Sequence, residues 1–272
     1  MLQTPRSLDE LPEIVCDPTS GTAPEEVATS WLLLRWLNRL RGASIRVERV
    51  RIYAAHKFGA SPELKMIHLY ADAYDAEGNK LPGIATLRGD TVDVLAVLRT
   101  ANPRKSVLAS LWRTVWNFLK ERDAEYVVLV SQPRVAGAQR VVSNPSGMID
   151  PDEGVDSAAL RELSEETGEN TIRWTAPVNM GAYVTGDGLV LVSPGGSDER
   201  VQLVLTSAVV SPEVLVQLCG KFGGLSHEGE NTTVIVVPLS DALKRLSANG
   251  THADLRTLTS LLLYLRMTGK RA

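Results

Sequence analysis

The sequence predicts an α/β protein whose first part is a small β-sheet. Three observations support this prediction. Segments with strand periodicity follow one another between residues 44 and 88 without a helix between them. Strand-like and helix-like segments then alternate to the C-terminus, and residues 147–169 form an acidic loop that runs into an acidic helix.

Composition limits the classes of protein that fit. The chain has 272 residues and 44% hydrophobic residues, which suffice for one large domain or two modest ones. Its net charge of −3 gives no basic field for nucleic acid. No apolar run reaches the roughly 20 residues that span a bilayer. The first 30 residues are acidic, which fits neither a transit nor a signal peptide, and Cys16 and Cys219 make no metal spacing. We therefore predict a cytoplasmic protein without nucleic-acid or membrane partners.

The N-terminal third is predicted from local pattern. Residues 1–23 are rich in Pro, Ser, Thr and acids and indicate a poorly ordered lead-in. A helix is expected from Pro24, because four apolar residues share one face: Val27, Trp31, Leu34 and Leu37. Three strands should follow, with a turn at 75–79 between the last two. Their ranges are 44–55, 64–75 and 81–88.

The remaining elements alternate in type. A strand at 91–99 and an amphipathic helix at 103–121 come first, with strands at 125–131 and 139–143 before the acidic loop. After that loop we expect a hairpin at 181–192 around Gly186–Gly188. The other predicted elements are a strand at 201–207, a helix at 211–219 capped by Ser211, a strand at 232–238, and helices at 239–247 and 252–268.

The acidic helix carries the strongest chemical signal. Glu162, Glu165 and Glu166 stand at i, i+3 and i+4, so a helix places them on one face, where like charges repel. A divalent cation among them removes that repulsion. The absence of nearby Cys or His favours the oxygen-seeking ions Mg²⁺ or Mn²⁺. Arg161 can pair with Glu153 and brace the loop against the helix. The competing interpretation is a solvated acidic helix with a glycine C-cap.

The spacing within 147–169 is more specific than its charge. It can be compared with the pattern G-x5-E-x7-R-E-U-x-E-E-x-G-U, where U is an apolar residue. Every position of the pattern that specifies one residue type is matched. The last position departs, since Glu169 stands where an aliphatic residue is usual. The stretch resembles the Nudix box.

Two further loops are candidates for ligand contact. Residues 193–199, SPGGSDE, have a flexible backbone that can approach a phosphate or nucleoside closely, although an ordinary turn is the simpler interpretation of this loop alone. Residues 223–231 form a polar loop with the acids Glu228 and Glu230.

Beyond the box, the chain is similar to the ADP-ribose and nucleotide-sugar pyrophosphatase branch of the Nudix hydrolases, and most of all to plant ADP-sugar pyrophosphatases. The stretches that carry this resemblance include LRWLNRL, QPR, NPSGMID, SPGGSDE and GLSHEGE. The resemblance implies an α/β/α sandwich with a mixed sheet, preceded by a small antiparallel β-domain that joins two subunits in a homodimer. It divides the chain into a lead-in and helix at 1–40, that β-domain at 41–90, and the hydrolase domain at 91–272.

The resemblance also implies roles for single residues. The metal ligands would be Glu162, Glu165 and Glu166, with Glu153 as brace or further ligand and the carbonyl of Ser146 beside them. Arg88 and Arg134 match arginines that bind substrate phosphates. The SPGG motif, with Pro194, Gly195 and Gly196, points to sugar nucleotides. The catalytic group would include Arg161 with Glu228 and Glu230, and the general base stays open among Glu228, Glu230 and His227.

The predicted reaction is hydrolysis of a diphosphate linkage in a nucleotide sugar, dependent on Mg²⁺ or Mn²⁺, that gives a nucleoside monophosphate and a sugar phosphate. Ser143 stands where the family usually has a glutamate, which leaves the metal count and the sugar preference open. The alternatives are another Nudix substrate, such as a nucleoside triphosphate or coenzyme A, a non-catalytic ligand sensor, and a plain structural module.

Overall fold

A computed structural model describes residues 11–58, 62–100, 125–224, 231–246 and 252–270. The chain divides into two compact units. Unit 1 comprises Met1–Asp90 with Leu191–Arg200, and unit 2 comprises Thr91–Val190 with Val201–Ala272. The fold is mixed α/β, as the sequence predicts. Across the described ranges, every helix is too short or too polar to cross a bilayer.

Unit 1 is a sheet covered on one face by helices. Its sheet has the order β1-β2-β3-β4, with β5 beside β3. The strands and helices are β1 (Glu13–Cys16), α1 (Pro24–Thr29), α2 (Trp31–Gly42), β2 (Arg46–His56), β3 (Met66–Tyr74), β4 (Lys80–Leu81) and β5 (Ile84–Leu87). Alternate residues of β2 and β3, such as Ile52 and Leu69, are buried together with Leu33 and Leu37 of α2. The β1–β2 pair is parallel and the other pairs are antiparallel.

The N-terminal predictions need two corrections. The lead-in predicted for 1–23 contains a strand, because β1 pairs with β2, whereas residues 1–10 lie outside the described ranges. The single helix predicted from Pro24 is two helices. Ser30 separates them in an extended conformation, and its hydroxyl donates to the carbonyl of Val27 at 2.7 Å. The break rotates the second helix, so that Leu32, Leu33 and Leu37 are buried while Trp31 is only partly so.

Unit 2 is built on the larger sheet, of order β10-β12-β6-β7-β14-β13, with β11 on β12, β8 on β7 and β9 on β6. Its strands are β6 (Asp90–Thr100), β7 (Glu125–Arg134), β8 (Gln139–Ser143), β9 (Ser146–Met148), β10 (Val178–Asn179), β11 (Leu189–Leu191), β12 (Arg200–Val210), β13 (Phe222–Gly223) and β14 (Thr232–Pro238). Its helices are α3 (Val155–Thr167), α4 (Pro212–Leu218), α5 (Leu239–Leu246) and α6 (Leu255–Thr268). The predicted helix at 103–121 lies outside the described residues.

The core of unit 2 places the acidic helix on the sheet. Ala158, Ala159 and Leu163 of α3 are fully buried and belong to one apolar cluster with valines of β6, β7, β12 and β14. Glu162 and Glu166 follow Ala158 at i+4 and i+8 and are buried as well, so two of the three glutamates lie on the face of α3 that meets the rest of unit 2.

The hairpin predicted at 181–192 is wrong. Residues Gly181–Tyr183 form a short 3-10 helix, and β11 pairs with β12 instead of with a strand before the turn. The turn is closed by close backbone packing: a Cβ on Gly181 would lie 2.1 Å from the carbonyl oxygen of Gly188. Asn179 accepts a hydrogen bond from the N–H of Ala182, which competes with extension of a strand.

Candidate active site

The site begins where β9 leads into α3. Strand β9 is antiparallel to β6, with Ser146 opposite Asp93 and Gly147 opposite Val92. A turn follows, in which the N–H of Glu153 donates to the carbonyl of Asp150 at 3.0 Å. Helix α3 ends at Thr167, and Gly168 is its C-cap. The backbone of Gly168 is left-handed (φ 59°), a conformation that glycine adopts more easily than other residues.

Arg161 is the hub of the acidic cluster. Its guanidinium donates to both carboxylate oxygens of Glu153, at 2.9 and 2.8 Å, and to the carbonyl of Met148 at 2.9 Å. It also donates to Glu162 at 2.7 Å and to Glu165 at 3.1 Å. The bidentate pair with Glu153 joins the loop before α3 to the helix itself.

The same contacts shift two protonation equilibria. The hydrogen bonds from Arg161 lower the pKa of Glu153, although partial burial opposes the shift. The pairing with Glu153 raises the pKa of Arg161 above its already high value, against the effect of burial. Both groups therefore stay charged at neutral pH.

Glu162 and Glu166 are the buried acids of the helix, with 8% and 2% of their surface exposed. The N–H of Ser146 donates to a carboxylate oxygen of Glu166 at 3.0 Å. A Cβ on Gly147 would lie 2.0 Å from the carboxyl carbon of Glu162, so the glycine leaves the room that this carboxylate fills. Strand β9 thus contributes main-chain atoms to this contact, and helix α3 contributes the carboxylates of Glu162 and Glu166.

This donor set fits a hard divalent cation. Three carboxylates from one helix, with a fourth on the loop and a small residue at 146, supply only oxygen, which Mg²⁺ and Mn²⁺ prefer. Within the described ranges, no three His, Cys, Asp or Glu side chains already stand at the spacing of a metal site. Arg161 instead pairs with three of the box carboxylates.

The predicted substrate-binding residues of unit 1, Arg88 and the Pro194–Gly196 loop, lie close to one another. Arg88 approaches Glu199 at 3.6 Å, and its N–H donates to Asp198 at 2.8 Å. The carbonyl of Gly196 accepts from the N–H of Thr86 at 2.9 Å, which brings the Pro194–Gly196 loop to the segment before Arg88. A Cβ on Gly195 or Gly196 would meet no described atom within 4 Å, so packing does not require glycine at either position.

Arg134, the other predicted phosphate-binding residue, belongs to unit 2. It ends β7, opposite Gln139 on β8, and is exposed. The positive charge of Arg134 helps to lower the pKa of Asp254, the N-cap of α6. Burial opposes ionisation of Asp254, but hydrogen bonds from Arg256 and the charges of Arg256 and Arg134 lower the pKa of this carboxyl.

The candidate general bases lie outside the described residues. Glu228, Glu230 and the alternative His227 belong to residues 225–230, which fall between the described ranges. Both flanks of this segment are described, and each contacts the last turn of α3. The N–H of Gly224 donates to the carbonyl of Glu165 at 2.9 Å, and the hydroxyl of Thr232 donates to the carbonyl of Glu166 at 3.0 Å.

Glu169, one of the two departures from the family pattern, has hydrogen-bond partners here, and so does Asn144, the neighbour of the other departure, Ser143. Glu169 accepts from the N–H of Thr171 at 2.8 Å and from Lys221 at 3.1 Å, and hydrogen bonding by Thr171, with the help of Lys221, lowers the pKa of Glu169 to about 2. Asn144, next to Ser143, is fully buried and donates to Asp93 at 2.6 Å. Glu169 therefore takes part in a local polar network, and the residue after Ser143 takes part in a buried one.

Sequence reasoning missed Asp198 and Asp93. The buried Asp198 accepts from Arg35 at 2.7 Å and from Arg39 and, by the N–H of Arg88, holds the phosphate-binding candidate. The pair of arginines at i and i+4 on one helix was the available signal. Asp93 lies inside a strand whose remaining residues predict only burial, so no sequence signal marked it.

Comparison with known proteins gives a family match and two relatives. A family model described as the NUDIX domain matches residues 111–257. The chain is 31% identical over 248 residues to Nudix hydrolase 14, chloroplastic, of Arabidopsis thaliana, over 86% of this chain and 70% of the relative. A solved structure titled as that of an ADP compounds hydrolase matches 83% of this chain and 99% of that chain, with 15% identity and a TM-score of 0.43.

Proposed function

The chain belongs to the Nudix family, and from this premise we propose that it hydrolyses the diphosphate linkage of a nucleoside diphosphate sugar. The substrate is of the ADP-sugar or ADP-ribose type, the products are a nucleoside monophosphate and a sugar phosphate, and the metal is Mg²⁺ or Mn²⁺.

The observation that carries the proposal is the meeting of β9 with the glutamate face of α3. Glu162 and Glu166 are buried there beside Gly147 and the N–H of Ser146. Two buried carboxylates on one helix turn are costly unless a cation compensates their charge. Arg161 does so for Glu162, and a divalent ion serves the same purpose for the whole set.

The residues divide the work by charge. Glu162, Glu165 and Glu166, with the carbonyl of Ser146, hold the metal. Arg161 keeps Glu153 and the loop in place through its bidentate bond. A divalent cation held there would supply positive charge to the diphosphate and would lower the pKa of a water molecule bound to it.

Substrate binding falls to the arginines and the glycine loop. A planar guanidinium pairs bidentately with phosphate oxygens, which suits Arg88 and Arg134. The open space at Gly195 and Gly196 lets main chain approach a nucleoside or sugar. A carboxylate of Glu228 or Glu230, or the imidazole of His227, takes the proton of the attacking water.

A panel of substrates tests the proposal. ADP-ribose, ADP-glucose, UDP-glucose, GDP-mannose, ATP and coenzyme A are incubated with Mg²⁺, with Mn²⁺ or with chelator, and products are identified by mass spectrometry in ¹⁸O-labelled water. We expect AMP and a sugar phosphate from the ADP sugars, only with metal. Turnover of ATP or coenzyme A alone would replace the substrate class, and no turnover of any compound would favour a sensor.

The matched variants are Glu165→Gln and Glu166→Gln, which keep size and remove charge. Turnover should fall by about a hundredfold or more, because even indirect partners of a metal ligand cost about 10- to 100-fold. Near-normal turnover in a folded variant would remove the metal-site assignment.

Two further proposals concern the whole protein. We propose a homodimer joined through residues 41–90, which light scattering would detect as twice the 29.5 kDa mass of one chain. We also propose a cytoplasmic location, although the name of the Arabidopsis relative places that protein in the chloroplast. Localisation of a tagged full-length chain decides between the two compartments.

A further inference from the structure

The last turn of α3 is fixed by bonds to its main-chain carbonyls. The final carbonyls of a helix have no partner within the helix. Here the carbonyl of Glu165 accepts from the N–H of Gly224 at 2.9 Å, and that of Glu166 accepts from the hydroxyl of Thr232 at 3.0 Å. Lys221 donates to the carbonyl of Gly168. Partners from β13, β14 and the residues beside them therefore take the place of water at the end of the helix.

Gly223 and Thr232 enclose the carbonyl of Glu166 between them. They are paired across β13 and β14. A Cβ on Gly223 would lie 2.0 Å from the carbonyl oxygen of Glu166, so β13 touches the helix directly. Thr232 is fully buried, and its hydroxyl is the polar group that reaches this oxygen.

Glu166 is consequently fixed at two points. Its main-chain oxygen accepts from Thr232, and its side-chain oxygen accepts from the N–H of Ser146 at 3.0 Å. Loss of either bond leaves a buried acceptor without its partner and lets the last turn of α3 move relative to β9. The position of this carboxylate thus depends on β14 as well as on β9.

We propose that Thr232 is a positioning residue for Glu166, an inference that rests on the proposed function because it takes Glu166 as a metal ligand. The hydroxyl of Thr232 holds the end of α3 at the distance from β9 at which the carboxylates of Glu162 and Glu166 serve the same cation. Partners that orient a metal ligand act on affinity without touching the ion.

Calorimetric titration of Mn²⁺ into metal-free protein tests this role. Thr232→Val removes the hydroxyl at nearly constant shape, and Thr232→Ser retains it. Thr233→Val is the matched control, since Thr233 follows on the same strand but is only half-buried and points to the other face. All titrations are run well below the unfolding midpoint of every variant, where a loss of stability alone does not change the affinity.

We expect T232V to bind Mn²⁺ about tenfold more weakly than the wild type, and T232S and T233V to bind it within about twofold of the wild type. Should T232V not fold, Gly223→Ala displaces the same carbonyl from the opposite side and should weaken binding similarly. Wild-type affinity in folded T232V, or in folded G223A where T232V does not fold, would overturn this inference alone. A wild-type protein that binds no Mn²⁺ would overturn the proposed function and this inference together.

Discussion

At the scale of single residues, the candidate site depends on positions that have no side chain. Gly147 leaves the room that the Glu162 carboxylate occupies, and Gly223 leaves the room for the carbonyl of Glu166. The neighbouring carboxylates are then held by one guanidinium, that of Arg161, and by main-chain N–H groups. The positions of the glutamate carboxylates therefore depend on the neighbouring glycines, on Arg161 and on main-chain groups.

Gly147→Ala should reduce activity sharply, because the new Cβ would fall 2.0 Å from the carboxyl carbon of Glu162. We expect a loss of about a hundredfold in turnover with the fold retained. The matched control is Gly154→Ala, whose Cβ would meet nothing within 4 Å and whose φ is −77°. Steady-state kinetics and circular dichroism measure both effects, and equal activity of the two variants would contradict this account of Gly147.

Asp93 should make stability depend on pH. Burial raises its pKa to about 6, whereas Asn144 and Ser260 donate to its Oδ1. Within the described residues, its Oδ2 and the Oδ1 of Asn144 are buried without a hydrogen-bond partner. Because the folded chain binds this proton more tightly than the unfolded chain, stability from this group is present below about pH 4 and is lost as pH rises to about 6. The loss approaches about 3 kcal/mol.

Asp93→Asn should remove the fall in stability that Asp93 causes as the pH rises. Its amide can donate to the Oδ1 of Asn144 at every pH, so we expect the metal-free variant to be more stable than the wild type at pH 7.5 and equal to it near pH 4. Ser260→Ala, which deletes a donor to the same carboxyl, should be less stable than the wild type at pH 7.5. Urea unfolding across pH measures all three proteins, and a parallel pH profile for D93N and the wild type would disprove the assignment.

At the scale of elements, local pattern predicted most strands and helices of unit 2 to within a few residues. Strands β6, β7 and β14 each contain a central apolar run and α6 has helical periodicity, so the sequence of each segment indicates its own structure. The failures had causes outside the local pattern. Ser30 ends one helix and starts another through a single hydroxyl, and the region at 181–192 folds into a 3-10 turn because Asn179 and Gly188 pack against it.

The C-cap of α3 is an element-level test. Gly168→Ala places a side chain at φ 59° and a Cβ 3.2 Å from the carbonyl oxygen of Phe222. We expect a loss of about 1 kcal/mol of unfolding free energy or slightly more. Gly42→Ala, at the end of α2 with open space around it, should be neutral or mildly stabilising. Urea denaturation compares them, and an equal midpoint for G168A and the wild type would show that the cap is not needed.

At the scale of the whole molecule, the candidate residues come from distant parts of the chain. Spacing within 147–169 was enough to predict a carboxylate cluster, because helical neighbours are local. The contacts of Asp198 with Arg35 and Arg39 span 163 and 159 residues, and the arginine pair indicates an acidic partner without indicating where in the chain it lies. The same holds for Thr232, which lies 66 residues from Glu166.

Metal binding should stabilise the folded protein as a whole. A ligand that binds only the folded chain adds about 2.7 kcal/mol at 100 times its dissociation constant. We expect Mn²⁺ to raise the unfolding temperature of the wild type and to leave that of Glu162→Gln/Glu166→Gln unchanged. Differential scanning calorimetry with and without metal makes the comparison, and an equal rise in both proteins would place the ion elsewhere.

The most direct test of the central claim is the anomalous scattering of manganese in crystals grown with Mn²⁺ and a slowly hydrolysed ADP-sugar analogue. The account predicts a manganese peak within coordination distance of the carboxylates of Glu162 and Glu166 and of the analogue's diphosphate. Manganese at other positions only, with these two glutamates turned away from the diphosphate, would contradict it.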